Sequence, residues 1–131
     1  MLFRSGAGGA VELAAWKARV RQAWPSLTVS LAEEPPRAVH HDERVPLAVR
    51  VALNGLDPAD VVVECLIEPC AGMGGEPQAV ALAPQGEEGG VFRFALSLSP
   101  ANAGLQEMRL RVYPWHPLLA HRFEMGLMRW V

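Results

Sequence analysis

The stretch VPLAVRVALNG, residues 45–55, puts Leu47, Val49, Val51 and Leu53 at every second position and then stops at Asn54-Gly55. Successive side chains of a strand point to opposite faces, so this spacing predicts a strand with one buried face, closed by a turn. The same period recurs on both sides of it. Upstream, Leu27, Val29 and Leu31 alternate with Thr28 and Ser30. Downstream, the even positions Phe92, Phe94, Leu96 and Leu98 of VFRFALSL form a third such strand, ended by Ser99-Pro100. In LQEMRLRVY, Met108, Leu110 and Val112 alternate with Glu107, Arg109, Arg111 and Tyr113.

Between these lie a short apolar run from Val61 to Ile67, which follows the turn at Asp57-Pro58, and a weaker strand over Gln78 to Leu82. This run predicts a strand buried on both faces or at the centre of the fold. The segments EEPPRAVHHDER (33–44), PCAGMGGEP (69–77) and PQGEEGG (84–90) are rich in Gly, Pro and charge, and read as connections, as does Asn102-Ala103-Gly104. About seven short strands at this spacing predict a mostly-β chain, a two-sheet sandwich of immunoglobulin-like type.

One helix precedes the strands. Leu13, Trp16, Val20 and Trp24 recur at spacings of three and four, with Glu12, Lys17, Arg19, Arg21 and Gln22 mostly elsewhere, and Pro25 ends the pattern. Residues 1–9 are small and Gly-rich and carry no pattern. The expected organisation is a flexible lead-in over 1–10, an amphipathic helix over 11–25 and a β-sandwich over 26–131.

Composition narrows the function. A net charge of −2 supplies no excess of positive charge to neutralise phosphates, which argues against nucleic acid and acidic lipid surfaces as partners. No apolar run approaches the ~20 residues of a membrane span or resembles a signal peptide, so a cytoplasmic protein is expected. Cys65 and Cys70 are the only cysteines and read as free thiols. Eleven of the twelve basic residues are arginine; Lys17, the single lysine, falls on a solvated helix face, so Schiff-base chemistry has one candidate, poorly placed.

Four stretches could carry chemistry. His40-His41-Asp42-Glu43 offers metal-ligating types, but neighbours in an extended loop point apart and do not converge on an ion. Glu87-Glu88 sits between glycines at an expected hairpin tip, where carboxylates are hydrated rather than set across a cleft. Gly72, Gly74 and Gly75 lack the following helix and the Lys-Ser/Thr pair of a phosphate loop. The last stretch, RVYPWHPLLAHRFEMGLMRWV (111–131), interleaves Tyr113, Trp115, Phe123 and Trp130 with His116, His121, Arg122, Glu124 and Arg129. Aromatic rings with arginines suit core packing, an interface, or a sugar contact with Trp115, Trp130 and Tyr113 as a stacking platform. With Trp16 and Trp24 of the helix, Tyr113, Trp115, His116 and Trp130 are the candidate interface or glycan-contact residues. No catalytic, cofactor-binding or metal-binding set is discernible, and no nucleophile-elbow motif surrounds any serine.

The C-terminal stretch resembles the closing segment of the short bacterial and archaeal α-glucan phosphorylases of the glycogen/starch phosphorylase class. The matching residues are His116, Pro117 and Leu118, then Phe123, Glu124, Met125, Gly126 and Leu127, then Arg129 and Trp130. ELAAWKARVRQAWPSLTV (12–29) resembles the helix that leaves that family's catalytic region, through Leu13, Trp16, Lys17, Val20, Trp24 and Pro25, and GLDPADVVVE (55–64) resembles a turn and strand between the two. The resemblance covers nearly the whole chain from Glu12 but only the tail of the family's longer polypeptide. It implies a non-catalytic C-terminal accessory domain in glycogen or maltodextrin metabolism, with the phosphorylase catalytic body, or a second copy, as partner. A stand-alone carbohydrate-binding sandwich that takes α-glucan is the alternative. The family's pyridoxal phosphate is bound through a lysine, and nothing in this chain matches that motif. The Gly-rich start ahead of a helix that continues upstream in the family suggests a truncated product.

Overall fold

The structure, a computed structural model, describes residues 2–32, 44–69, 76–98 and 106–131. The His40-His41-Asp42-Glu43 stretch, apart from the neighbouring Arg44, lies outside them, as do Cys70, the glycines 72, 74 and 75, and the 102–104 turn.

Among the described residues one helix, α1 (Leu2–Ala23), leads into a 3₁₀ turn (Trp24–Ser26) and seven strands: β1 (Thr28–Leu31), β2 (Val45–Ala52), β3 (Val61–Pro69), β4 (Gln78–Glu88), β5 (Val91–Leu98), β6 (Gln106–Pro114) and β7 (Arg129–Trp130). The mostly-β fold with one N-terminal helix agrees with the strand periodicity. Among the described residues no helix is long and apolar enough to cross a membrane.

All neighbouring strands are antiparallel, in the order β1-β2-β5-β4-β3-β6-β7. β4 belongs to both halves. Its first part, Gln78–Leu82, pairs with β3, and its second, from Ala83, pairs with β5, with a register shift between Pro84 and Gly86. A bulge there bends the strand and lets it leave one sheet for the other. The inner faces of the two halves therefore share one core: Leu47, Val49 and Val51 of β2 and Phe94 of β5 meet Val63, Cys65 and Ile67 of β3 and Leu110 and Val112 of β6. Those of β2, β5 and β6 lie on the alternating faces that the sequence predicts as buried, and those of β3 belong to the apolar run expected at the centre.

Three local expectations change. The chain is helical from Leu2, not from Val11. Each glycine in the first turns costs about 1 kcal/mol of helix propensity, which weakens the local signal; a Cβ at Gly9 would meet Leu118 at 3.5 Å, an ordinary van der Waals contact. The turn expected over 84–90 is mostly strand: β4 continues to Glu88, the bulge takes up Pro84, and only Gly89 and Gly90, with φ of 60° and 85°, form the reversal. At the start of the sheet, Leu27 is buried but Leu31 is exposed, because β1 is an edge strand.

The helix ends as its proline dictates. Pro25 enters the 3₁₀ turn, whose Trp24 carbonyl accepts from the Leu27 N–H at 3.1 Å. The Asn54 side-chain amide donates to the Ala23 carbonyl at 3.2 Å, one of the carbonyls left free at a helix end. Asn54 and Gly55 hold φ of 52° and 96°, the left-handed region that Asn and Gly tolerate best, which is why β2 stops there.

Candidate docking face

On the outer side of β3, β6 and β7 the register sets three residues in one row: Glu64 opposite Arg111, and Arg111 opposite Trp130. Val62 lies opposite Tyr113 and Leu66 opposite Arg109 in the flanking rows. Alternation alone assigns this face to water, yet Glu64 is 4% exposed, and Arg111 and Tyr113 are buried too. The cover is the segment 115–127, which has little regular structure and folds back across both this face and α1.

Glu64 is the hub. Arg111 donates from Nε to Glu64 Oε1 at 2.6 Å and forms an ion pair with the same oxygen through Nη2. The Tyr113 hydroxyl donates to Oε2 at 3.3 Å, and the Arg122 guanidinium lies 3.8 Å from that oxygen. A carboxylate taken this far from water is tolerable only because both oxygens are met by donors and one full positive charge is adjacent. Burial, and then the negative charge of Glu64, push the Tyr113 hydroxyl above its ordinary pKa, with Arg122 pulling the other way.

Around this hub guanidiniums and rings alternate. The Arg111 guanidinium lies 5.1 Å from the Phe123 ring and 5.7 Å from Tyr113 and Trp130; Arg122 lies 4.7 Å from Phe123 and Arg109 4.1 Å from Trp130. Tyr113 and Phe123 meet edge to face at 5.0 Å. Each cation–ring contact contributes about 0.5–2 kcal/mol, depending on how far it is desolvated. Together they hold these arginines in place rather than leaving them to sample rotamers.

The same covering segment fastens α1. The Trp16 ring N–H donates to Asp60 Oδ1 at 3.0 Å, while Asp60 Oδ2 accepts from the Asp57 N–H at 2.9 Å and the Asp60 carbonyl accepts from the Trp115 N–H at 2.9 Å. The His116 ring lies 5.0 Å from the Trp16 ring. Its Nδ1 accepts from the Leu118 N–H at 3.1 Å, which leaves Nε2, 3.9 Å from Glu12, to carry the proton of the neutral ring. Lys17 pairs with Glu124, whose other oxygen accepts from the Ala120 N–H at 2.6 Å. These two bonds, the lysine first, hold the Glu124 carboxyl below the usual carboxylate range. From β7, Arg129 Nη2 donates to the Trp24 carbonyl at 3.1 Å.

The chain itself therefore covers Trp16 and Trp24, at 2% and 5% exposure, and encloses Tyr113. His116 is packed on Trp16, while Trp115 and Trp130 stay open at 39% and 44%. Leu118, Phe123 and Val131 are exposed with them. Lys17 is not on a solvated face; it is half-buried and paired across 107 positions of sequence. Composition overlooked Glu64, Asp60 and Arg111. One signal was present: a glutamate in the middle of VVVECLI is a charge inside a run that has to be buried.

A model of the glycogen phosphorylase C-terminal domain matches residues 24–131. The chain belongs to that family. The domain is 31% identical over 125 residues to a maltodextrin phosphorylase of Thermococcus litoralis, covering 91% of this chain and 14% of the relative. It is 31% identical over 134 residues to a glycogen phosphorylase of Mycobacterium tuberculosis, covering 95% of this chain and 16% of the relative. The chain thus spans about one-seventh of the length of these relatives. No solved structure matches it. The residues of this C-terminal domain do not fit pyridoxal phosphate: the ammonium of its one lysine is held by Glu124 on the flank of α1. Among the described residues no three His, Cys, Asp or Glu side chains converge on a metal-sized gap.

Proposed function

We propose that this domain is a non-catalytic accessory module of an α-glucan phosphorylase of glycogen or maltodextrin metabolism, acting in the cytoplasm, and that it packs against the catalytic body through the face built on Glu64. One observation carries this. Trp130, Trp115 and Phe123 are open to solvent, and the arginines against Trp130 and Phe123 are already held in place by Glu64 and by neighbouring rings. Aromatic and arginine anchors that need little ordering are what interface centres concentrate, since each side chain immobilised on binding costs about 0.5–1.5 kcal/mol. Trp16, Trp24 and Tyr113 support the face from beneath, and His116 orients its rim. The strand order supports an immunoglobulin-like assignment: β1-β2-β5-β4 and β3-β6-β7 correspond to the two sheets of the constant-type sandwich, with β4 bridging them.

The test is sedimentation of the 131-residue chain with a phosphorylase polypeptide that ends before the segment corresponding to Trp24. A complex is expected, weakened about 30-fold by Trp130→Asp, the loss of roughly 2 kcal/mol typical of an anchor. No complex at ~100 μM, at the weak end of specific association, or full binding by Trp130→Asp together with Leu118→Asp, refutes the docking assignment. Self-association of the chain alone, abolished by the same substitutions, would assign the face to a second copy. A saturable change in tryptophan fluorescence with maltooligosaccharides would assign it to α-glucan.

A further inference from the structure

The opposite face of the molecule, outside β2 and β5, holds a polar groove that docking leaves unused. Its register sets four residues in one row across four strands: Ser30 of β1, Arg50 of β2, Arg93 of β5 and Gly86 of β4. Arg50 and Arg93 are direct cross-strand partners and both are exposed. The rows on either side carry short side chains, Ala48 with Ala95 and Ala52 with Val91, so the two guanidiniums stand over a low floor. The groove measures about 590 Å³ and is lined by Arg50 and Arg93 together with Gln85, Gly86, Glu87 and Glu88. At Gly86 an added Cβ would meet nothing within 4 Å, so the end of the row is open.

Like charges directly opposite each other on neighbouring strands are destabilising. Among the described residues neither guanidinium forms an ion pair that would relieve this. Two planar forks side by side present up to about ten N–H donors, the arrangement that a tetrahedral oxyanion satisfies and a monovalent halide does not. Glu87 and Glu88, beyond the bulge between Pro84 and Gly86, line the same groove and remain exposed. Carboxylates beside a guanidinium pair repel a second anionic group and accept hydrogen bonds from hydroxyls. We propose that Arg50 and Arg93 form a binding site for a phosphate dianion, either free or as the monoester of a small polyol whose hydroxyls bond Glu87 and Glu88.

The test is an amide-resolved NMR titration of the full chain at constant ionic strength. The probes are inorganic phosphate, sorbitol 6-phosphate, neutral sorbitol and sodium chloride. Saturable shifts confined to residues 48–52 and 85–93 are expected with both phosphates in the millimolar range, and with neither control. Arg50→Gln and Arg93→Gln should each weaken binding about tenfold, the loss expected for one charge-assisted fork, with circular dichroism unchanged because both side chains are exposed and with thermal unfolding unchanged or slightly raised because each change relieves the repulsion of the pair. Arg93→Lys, which keeps the charge and loses the fork, should fall between. Tighter binding of the monoester that Glu87→Gln with Glu88→Gln removes supports the ester; equal binding of the two probes supports free phosphate and withdraws the role of the carboxylates. Shifts that fail to saturate by about 50 mM, or that persist in the Arg50→Gln, Arg93→Gln double variant, overturn the site.

Discussion

Replacing Glu64 with alanine removes the partner of Arg111 while leaving its guanidinium buried beneath Phe123 and beside Trp130. The side chains of the pair are only 5% and 11% exposed, so solvent screens little of the loss. Breaking one side of a buried pair costs about 3–5 kcal/mol, because the remaining charge has no compensation. The Tyr113 hydroxyl loses its acceptor in the same step. Since small domains are stable by only about 5–15 kcal/mol, Glu64→Ala should lose roughly a fifth or more of the total and lower Tm by roughly 10–20 °C. Urea unfolding followed by tryptophan fluorescence measures this, with the m value checked so that only the midpoint moves. Glu64→Leu with Arg111→Met removes both charges and should recover most of the loss, since an apolar replacement of a buried pair is often neutral or stabilising. Two results would refute this account: a cost below about 1 kcal/mol for Glu64→Ala, or a double variant as unstable as the sum of the two single changes, which would mean the residues are uncoupled.

Further outcomes follow from the same contacts. Trp16→Phe keeps an aromatic side chain but removes the N–H bond to Asp60 and part of the buried ring system, and should cost about 2 kcal/mol or more in chemical denaturation, the first part typical of a bond to a charged group. The carboxyl of Glu124 is held low in the folded state, so its contribution is present above the unfolded carboxylate pKa and is lost as pH falls through the lower folded value; Lys17→Met should flatten this acid limb of a stability–pH profile and leave the neutral-to-alkaline part parallel to the parent. Tyr113 is shifted the other way, so stability should fall on the alkaline side once the unfolded tyrosine begins to ionise, and Tyr113→Phe should remove that limb. Burial pushes the Cys65 thiol up to about 11, so alkylation of Cys65 at pH 8, located by peptide mass mapping, should proceed only on unfolding; rapid labelling in the native chain would contradict its burial.

What could be read from the chain depended on whether burial was local. The residues 47, 49, 51 and 92, 94 announce their strands because one side of each meets the core and the other meets water, the condition that alternation records. The same rule misassigned Arg111 and Tyr113. Their half of β6 is polar in type, yet a segment with no periodicity of its own folds over it, and nothing near residue 111 signals the arrival of residue 123. The start of the helix was missed because Gly6, Gly8 and Gly9 weaken its pattern locally. Of the candidate site, the aromatic residues were legible from their type and density. The carboxylate that organises them was legible only as an anomaly within β3, because its partner is set by cross-strand register.

The fastening of α1 by residues 115–130 also has a temporal side. Lys17 waits for Glu124, and Trp24 for Arg129, across 107 and 105 positions of chain. At a translation rate of about 5–20 residues per second, roughly 5–20 s separate the emergence of the helix from that of its clasp. Until that clasp arrives, Trp16, Val20 and Trp24 are not fastened against the sheet, and the helix is an adhesive amphipathic segment on a ribosome-bound chain. Any change that delays or weakens the last sixteen residues should therefore reduce the yield of soluble chain more than its effect on the finished fold would suggest.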